Sequence, residues 1–280
     1  MVTDPDFDTV VHCSDLHFGA GFQEHRADDL LQHINDLKPD LVVVSGDLTM
    51  RARVSQFEAA RKYLQQFTAP LLVIPGNHDV PLYDLPLRAT RPFKNYNAFI
   101  ADLNTGPVRL RNVALYGLNT VNPWRHQQGK VRLLEFMEMQ KWMDSQPEGL
   151  WKMAVVHQHF ANIPRHERPG VFRHGQYWLN RMAEAGIHGV LHGHVHYHHV
   201  ASSHEFFPQM PAPVVLVTAG TPTSVRTRGE SPTNNYNLIR FYADRLEVHQ
   251  CDWTSENSQF CPSRHVAFER EFFRGGSPVT

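Results

Sequence analysis

Cysteine is scarce in this sequence of 280 residues, with only Cys13, Cys251 and Cys261 present. Three thiols cannot build the disulfide framework of a small secreted domain, and we expect them to stay free. Long apolar runs are missing as well, because the longest, such as 41–44 and 214–217, are far too short to span a bilayer. The opening residues, MVTDPDFDTVVH, lack the basic and apolar regions of a signal peptide. We therefore expect a cytoplasmic protein without membrane insertion.

An excess of charge of either sign is also absent, since Lys+Arg total 27 and Asp+Glu total 28, a formal net charge of −1. A chain this close to neutral has no overall field to hold a nucleic acid or an anionic membrane. Hydrophobic residues make up 41% of the chain, which is enough for a sizeable core. Histidine, in contrast, is abundant, with 19 residues. Any metal site is therefore expected to use imidazole and carboxylate ligands.

The first 80 residues alternate short apolar runs with amphipathic segments. The apolar runs 9–13, 41–44 and 71–74 each end in a polar cluster. The clusters recur at about 30 residues, the length of a βαβ unit, so they are expected at equivalent strand ends. The segments between them have apolar residues at helical spacing, and the Ser55-x-x-Glu58 pattern predicts a capping box for the second helix.

The rest of the chain shows further strand and helix patterns. Strands are predicted at 113–118, 153–156, 187–191, 214–218, 236–242 and 246–250, and helices near 93–103, 133–143 and 177–185. Residues 80–110 interrupt the alternation with prolines and are predicted to be a small insertion over the third strand end. The chain opens as α/β and closes as antiparallel sheet. We expect one domain over 1–280, with two sheets and outer helices.

Five of the predicted strands end in residues able to bind a metal ion. These residues are Asp15, His17, Asp47, Asn77, His157, His194 and His196. Ligands collect outside the carboxyl ends of strands in α/β sheets, so we expect these side chains to meet. Alternation along an extended backbone would place both members of the D-x-H pair, and both of the H-x-H pair, on one side. Two carboxylates, one amide and four imidazoles suit two divalent ions such as Mn, Fe or Zn better than calcium.

Glycine directly precedes a candidate ligand at Gly46, Gly76 and Gly193. A residue without a Cβ lets the backbone turn tightly and come close to an ion. The sequence has no Walker loop, no dinucleotide fingerprint and no G-x-S-x-G elbow. These patterns favour metal-ion chemistry over acyl-enzyme or dinucleotide chemistry.

The order D-x-H, G-D, G-N-H-D, a strand-ending His and G-H-x-H closely resembles the calcineurin-like metallophosphoesterase superfamily. The resemblance runs from Asp15 to His196, two thirds of the chain. Within it, GDLT at 46–49 and PGNHD at 75–79 are most similar to bacterial class III cyclic-nucleotide phosphodiesterases and related enzymes. The resemblance implies a four-layer α/β/β/α sandwich with two packed mixed sheets, and a metal-dependent phosphoester hydrolase.

Carried over position by position, the resemblance implies two metal ions that share one carboxylate. One ion would be held by Asp15, His17, Asp47 and His196, and the other by Asp47, Asn77, His157 and His194. His78 would contact the substrate phosphate or act as a general acid, oriented by Asp79. Many relatives have His-His followed by prolines at the fourth motif, where this sequence has HQHF at 157–160. We assign His157 as the ligand because it directly follows the strand, with His159 as the alternative.

Several residues beside the predicted ligands are candidates for binding substrate. They are Asn77, His78, His159, Arg51 and Arg53. The two arginines follow the bridging Asp47 by only a few residues, but solvated charges are also typical of a helix entry. His126 and His174 lie in loops near the predicted site, and a pocket role and a structural role both stay open for them.

We interpret the sequence as a dinuclear metal-dependent phosphodiesterase, in which a bridging hydroxide attacks a cyclic nucleotide or a glycerophosphodiester. Two ions about 3.5–4 Å apart can clamp a phosphate and stabilise both the attacking and the leaving oxygen. Two divalent ions, two carboxylates and a hydroxide sum to roughly +1, which attracts a phosphate ester anion. The expected partner is therefore a small-molecule phosphate ester.

Other functions stay open behind this one. A phosphomonoesterase acting on a nucleotide, sugar or protein phosphate would use the same metals. A nuclease is disfavoured because the chain has no net basic charge. A non-catalytic scaffold is disfavoured because every ligand position is filled. The metal identity and the formation of a homo-oligomer also stay open.

Overall fold

The computed structural model describes residues 6–163, 172–228, 232–256 and 258–274. The strands are β1 (Asp8–Cys13), β2 (Leu41–Val44), β3 (Leu71–Val73), β4 (Val108–Arg109), β5 (Val113–Gly117), β6 (Trp151–Val155), β7 (Gly189–His192), β8 (His199–Ser202), β9 (Val215–Thr218), β10 (Asn235–Phe241), β11 (Arg245–Thr254) and β12 (Gln259–Glu269). The helices are α1 (Glu24–Leu37), α2 (Val54–Leu64), α3 (Leu85–Thr90), α4 (Lys94–Phe99), α5 (Leu133–Asp144), α6 (Gly175–Glu184) and α7 (Ser203–Phe206). Across these described ranges, none of the helices has both the length and the apolar character that crossing a membrane requires.

The first sheet has six strands in the order β12-β11-β10-β1-β2-β3. β1, β2 and β3 are parallel to one another, as the repeated apolar runs predict. On its other side β1 pairs antiparallel with β10, and β11 and β12 continue this antiparallel pairing. The predicted antiparallel close of the chain is therefore confirmed, and it joins the same sheet as the opening strands.

The second sheet also has six strands, in the order β4-β5-β6-β7-β9-β8. β5, β6, β7 and β9 are parallel, while β4 and β8 pair antiparallel at the two edges. Both sheets are thus mixed, which confirms the predicted α/β class.

Alternating side chains of the strands separate the two faces of each sheet. Val10, for example, is buried between the sheets together with Leu115 and Met153 of the second sheet, whereas Val11 is buried on the outer face. Helices α1 and α2 cover the outer face of the first sheet, and α5 and α6 cover that of the second. The result is the predicted four-layer α/β/β/α sandwich.

The start of α2 differs from the sequence prediction. The helix begins at Val54 after Arg53, so Ser55 and Glu58 lie inside it and form no capping box. Gln56 makes the capping contact instead, because its Oε1 accepts the backbone N–H of the N-cap residue Arg53 at 3.4 Å and that of Arg51 at 2.8 Å. A glutamine side chain that reaches back over the turn satisfies N–H groups that the helix itself leaves unpaired.

Residues 80–110 contain two short helices, α3 and α4, where one helix was predicted near 93–103. The predicted helix ends at Phe99 and is followed by one 3₁₀ turn. Tyr96 of α4 is buried, and its hydroxyl donates to the carbonyl oxygen of Val73 at 2.9 Å. This bond ties the segment to the carboxyl end of β3.

Candidate metal centre

The loops that follow β1, β2, β3, β6 and β7 bring their polar side chains to one place. Asp47 belongs to two groups of donor atoms, and within each group the atoms lie within 4.8 Å of one another. The groups are Asp15, His17, Asp47 and His196, and Asp47, His157 and His194. The strand-end pattern in the sequence therefore leads to side chains that meet in space.

The backbone at the ligand positions is left-handed, and not extended as the alternation argument predicted. Positive φ angles of 53–74° occur at Asp15, His17, Asp47, His194 and His196. For residues other than glycine this conformation is unfavourable by roughly 1–2 kcal/mol each, with aspartate tolerating it best. The D-x-H and H-x-H pairs still reach one site, but they do so through tight turns that the surrounding structure must hold.

Two of the glycines allow the ligand loops to pack against each other. A Cβ on Gly76 would lie 2.1 Å from the backbone nitrogen of Asp47. A Cβ on Gly193 would lie 1.8 Å from Oγ of Ser14 and 2.5 Å from Oδ2 of Asp15. The close approach predicted for these glycines is present, but it brings the backbone to a neighbouring ligand loop.

In the first group, atoms with free lone pairs face one another. Nδ1 of His196 lies 2.7 Å from the carbonyl oxygen of Arg226, so the ring donates there and keeps a lone pair on Nε2. That Nε2 lies 2.9 Å from Nε2 of His17 and 3.0 Å from Oδ1 of Asp15. Lone pairs converging at these distances repel unless a cation, or a shared proton, lies between them.

The second group has the same character. Nδ1 of His157 lies 2.8 Å from the carbonyl oxygen of Ser45 and donates to it. The lone pair of Nε2 then faces Oδ1 of Asn77 at 3.1 Å and Oδ1 of Asp47 at 3.3 Å. Oxygen and imidazole donors of this kind bind divalent transition metals.

The electrostatics of the cluster also call for positive charge. Burial opposes a proton on His157, yet the adjacent Asp47 carboxylate raises the pKa of His157 to about 9. Burial likewise opposes ionisation of Asp47, but His157 holds the pKa of Asp47 well below its ordinary value. A proton held this strongly between buried groups marks a place that a divalent cation fits, and the donor set therefore fits a metal centre.

His78 is placed beside this cluster. Its backbone N–H donates to Oδ1 of Asp47 at 2.7 Å, and its ring centroid is 4.9 Å from that of His17. Nδ1 lies 2.9 Å from the carbonyl oxygen of Met50 and 3.2 Å from Nη1 of Arg51. The orientation of His78 is therefore set by the Met50 carbonyl.

The expectation that Asp79 orients His78 stays a prediction, because the hydrogen bonds of the Asp79 carboxylate are made with other residues. The buried Asp79 carboxylate accepts the backbone N–H groups of Leu48, Thr49 and Gly76 at 2.8–3.1 Å. These bonds use both of its oxygens, so Asp79 ties the loop after β3 to the loop after β2. It positions the backbone that carries Asp47.

An open cavity of about 280 Å³ lies over the cluster. Its lining includes Arg51 and His78, which the sequence singled out, and His126, whose role the sequence left open. It also includes Arg226 and Arg228, which sequence reasoning missed. Both lie in the loop after β9, several residues beyond the end of the strand.

Two predicted substrate contacts are not part of this lining. Arg53 is exposed at the start of α2. His159 is buried, with its ring stacked 5.9 Å from that of His194, and it belongs to neither donor group. His157, in contrast, is a member of the second group.

The two mixed sheets thus carry an Asp/His cluster at their strand ends. Residues 9–198 match the family model of the calcineurin-like phosphoesterase domain. The chain therefore belongs to the calcineurin-like phosphoesterase family, as the sequence motifs indicated.

Two curated relatives and one solved structure show how far the similarity reaches. The chain is 40% identical over 80 residues to the glycerophosphodiester phosphodiesterase GpdQ of Enterobacter lignolyticus, an alignment that covers 25% of this chain and only 29% of that protein. It is 25% identical over 273 residues to a cAMP/cGMP dual specificity phosphodiesterase of Mycobacterium tuberculosis, covering 88% of this chain and 79% of that protein. A dimetal phosphatase from Danio rerio shares the fold, with a TM-score of 0.61, 13% identity and coverage of 94% and 99%.

Proposed function

We propose that this protein is a dinuclear metal-dependent phosphodiesterase acting on small phosphodiesters of the cyclic-nucleotide or glycerophosphodiester kind. The observation that carries the proposal is the double role of Asp47. Its Oδ1 faces Nε2 of His157 at 3.3 Å, while its Oδ2 faces Nε2 of His17 at 3.8 Å. A carboxylate that serves both donor groups supports two adjacent ions. The names of the relatives support the diester class.

The proposed ligand sets follow the two groups of donor atoms. Asp15, His17, Asp47 and His196 would hold one ion, and Asp47, Asn77, His157 and His194 the other, with Mn, Fe or Zn as the metals. When bound, such ions would supply Lewis acidity and an activated water for attack on phosphorus.

His78 would act on the leaving group. Because Nδ1 donates to the Met50 carbonyl, Nε2 is the ring atom available to the cavity. Burial lowers the pKa of His78, whereas the neighbouring Asp47 raises it. A bound phosphate anion adds negative charge beside the ring and so favours the imidazolium, which can donate from Nε2 to the leaving oxygen.

Arg51 and Arg226 would bind the non-bridging oxygens of the phosphate. Both line the cavity, and the positive charges of both lie close enough to His78 to disfavour its protonation before substrate binds. Guanidinium groups form charge-assisted hydrogen bonds with phosphate oxygens. Their added positive charge is also the observation that favours the second candidate function, hydrolysis of a dianionic phosphomonoester.

A comparison of model substrates decides between the two candidates. We expect kcat/KM with saturating manganese to be higher for bis(p-nitrophenyl) phosphate than for p-nitrophenyl phosphate. Cyclic AMP and a glycerophosphodiester are then tested as natural diesters. Tenfold more efficient turnover of the monoester would overturn the diester assignment in favour of a phosphomonoesterase.

The shared carboxylate gives an independent test of the metal centre. Asp47→Ala removes the one ligand common to both ions, so metal content by elemental analysis and turnover should fall together. Asp36→Ala, at an exposed position on α1, is the matched control and should leave both unchanged. Two metals retained by Asp47→Ala, with normal turnover, would refute the dinuclear proposal. Cytoplasmic location and assembly state stay predictions of the sequence.

A further inference from the structure

Another group of side chains of the kinds that bind metal ions lies on the outer face of the first sheet, where β11 is two strands away from β1. Glu247 and His249 alternate along β11 with Leu246 and Val248, which are buried between the sheets. The side chains of Glu247 and His249 therefore project from the opposite face. His265 of β12 is the direct partner of His249 across the strand pair.

The three side chains converge on one point. Their donor atoms lie within 4.8 Å of one another. Oε2 of Glu247 is 3.4 Å from Nε2 of His249, and the rings of His249 and His265 are stacked with centroids 4.5 Å apart. Nε2 of His249 is shielded from solvent yet has no hydrogen bond of acceptable geometry. A buried ring nitrogen in this state, beside a carboxylate and a second imidazole, is suited to a cation.

Neighbouring residues hold the carboxylate in place. Nε of Arg245 donates to Oε1 of Glu247 at 2.9 Å, which leaves Oε2 directed at the histidines. The Arg245 guanidinium itself is stacked 3.7 Å from the ring centroid of Tyr242. A hydrogen bond to the second oxygen of a ligating carboxylate is the usual way in which proteins orient such a ligand.

We propose that Glu247, His249 and His265 form a third metal site, separate from the candidate catalytic centre and holding a single Zn²⁺, Ni²⁺ or Cu²⁺ ion. Two imidazoles and one carboxylate, with water completing the coordination, match the ligand types of these ions. Manganese binds such a site more weakly, since it comes first in the Irving–Williams order. The ion links β12, the edge strand of the sheet, to β11.

The test compares zinc binding by the purified, manganese-loaded protein and its variants. After equilibrium dialysis against micromolar zinc, wild type should retain about one zinc per chain more than His265→Ala, with at least a tenfold loss of zinc affinity in the variant. Glu247→Gln, which keeps the side-chain shape, should show a smaller loss of affinity in the same direction. His25→Ala, which removes an exposed imidazole on α1, is the matched control and should bind as wild type does.

Two further readouts separate this site from the catalytic centre. Zinc should raise the Tm of wild type by a few degrees more than that of His265→Ala, because binding to the folded state stabilises it. Phosphodiester hydrolysis should be unchanged in the variant. Equal zinc content and equal Tm shifts in wild type, His265→Ala and Glu247→Gln would overturn the proposal, whatever the catalytic assays show.

Discussion

Nδ1 of His78 lies 2.9 Å from the carbonyl oxygen of Met50, so the ring is held by a backbone acceptor in the loop after β2. That loop also carries Asp47, whose Oδ1 accepts the backbone N–H of His78 at 2.7 Å. The imidazole is thus held at Nδ1 and the His78 backbone at its N–H, both beside the Asp/His cluster, and His78 belongs to neither donor group. This arrangement separates the chemistry of His78 from metal binding and makes it testable.

We predict that His78→Ala keeps both metal ions but lowers kcat by about 10²–10⁴-fold for substrates with poor leaving groups. The loss should be smaller with p-nitrophenolate, which leaves without needing a proton. Elemental analysis and steady-state kinetics on a series of diesters with leaving groups of increasing pKa measure both effects.

His126→Ala is the control for this prediction, because the His126 ring lies 5.0 Å from that of His78 and lines the same cavity. Its effect on kcat should not depend on the leaving group. If the loss in His78→Ala were equal for good and poor leaving groups, His78 would position the phosphate and would not protonate the leaving oxygen.

The two arginines of the GDLTMRAR segment should behave differently. Arg51 lines the cavity, whereas Arg53 is exposed beside it. We predict that Arg51→Ala raises KM about tenfold or more, since hydrogen bonds to charged groups contribute about 1.5–3 kcal/mol. Arg53→Ala, the matched control two residues away, should change KM less than twofold.

Arg226→Ala should resemble Arg51→Ala in the same kinetic assay. The substitution removes the guanidinium but keeps the Arg226 carbonyl, which accepts from Nδ1 of His196. Metal content should therefore be retained while KM rises. Equal effects of the Arg51 and Arg53 substitutions would contradict the placement of substrate in this cavity.

Gly193→Ala should damage the metal centre through packing alone. A Cβ there would lie 1.8 Å from Oγ of Ser14 and 2.5 Å from Oδ2 of Asp15, so the ligand loop must shift. We expect a loss of about 1–3 kcal/mol in the free energy of unfolding, together with weaker metal binding. Gly106→Ala, whose added Cβ meets nothing within 4 Å, should leave metal content unchanged even though its φ of +75° makes alanine unfavourable. Urea unfolding and metal analysis of both variants measure the stability and the metal content. Normal metal content in Gly193→Ala would contradict the prediction that close packing of this glycine is needed for metal binding.

Stability should fall in acid partly through His188. Burial, with Arg270 and Lys152 nearby, lowers the pKa of His188 to about 4, and its Nδ1 accepts the backbone N–H of Lys152 at 3.0 Å. Between pH 6.5 and 4 the unfolded chain therefore binds a proton that the folded chain does not, so the free energy of unfolding decreases as the pH falls. We predict that His188→Asn, which keeps an acceptor, reduces the drop between pH 7 and pH 4.5 by about 2 kcal/mol.

Urea denaturation at the two pH values tests this. His25→Asn controls for the loss of an imidazole at an exposed position. A pH dependence in His188→Asn identical to that of wild type would show that this histidine does not titrate differently on folding.

The sequence was sufficient to predict the candidate ligands because polar clusters after buried parallel strands are a strong local signal. It could not predict the backbone conformation that directs these side chains toward one another. The left-handed backbone at Asp15 and His17 could not be read from the sequence, since a positive φ is uncommon for every residue other than glycine, even though Asp and His adopt it more often than most. The prediction that both side chains reach one site is therefore confirmed, but they do so through a left-handed backbone and not through alternation along an extended strand.

Other omissions have different physical causes. β12 was not predicted because most of its residues are exposed, so it lacks the apolar alternation that marks a half-buried strand. Arg226 was missed because its contacts with the site come from a loop after β9, distant in sequence from the motifs. The sequence also contains no sign that the Asp79 carboxylate accepts backbone N–H groups of two loops, since such bonds depend on how the loops pack.

The strand order of the first sheet has a consequence for synthesis of the chain. β1 takes its parallel partner from residues 41–44 but its antiparallel partner from residues 235–241. At translation rates of about 5–20 residues per second, one side of β1 waits roughly 10–40 s for β10 to leave the ribosome. During that interval β1, whose residues are largely buried in the folded protein, exposes unpaired backbone groups along one side. Such an exposed strand edge is a template for association with other chains. One of the two central strands of this sheet is therefore among the first to be made and among the last to be paired on both sides.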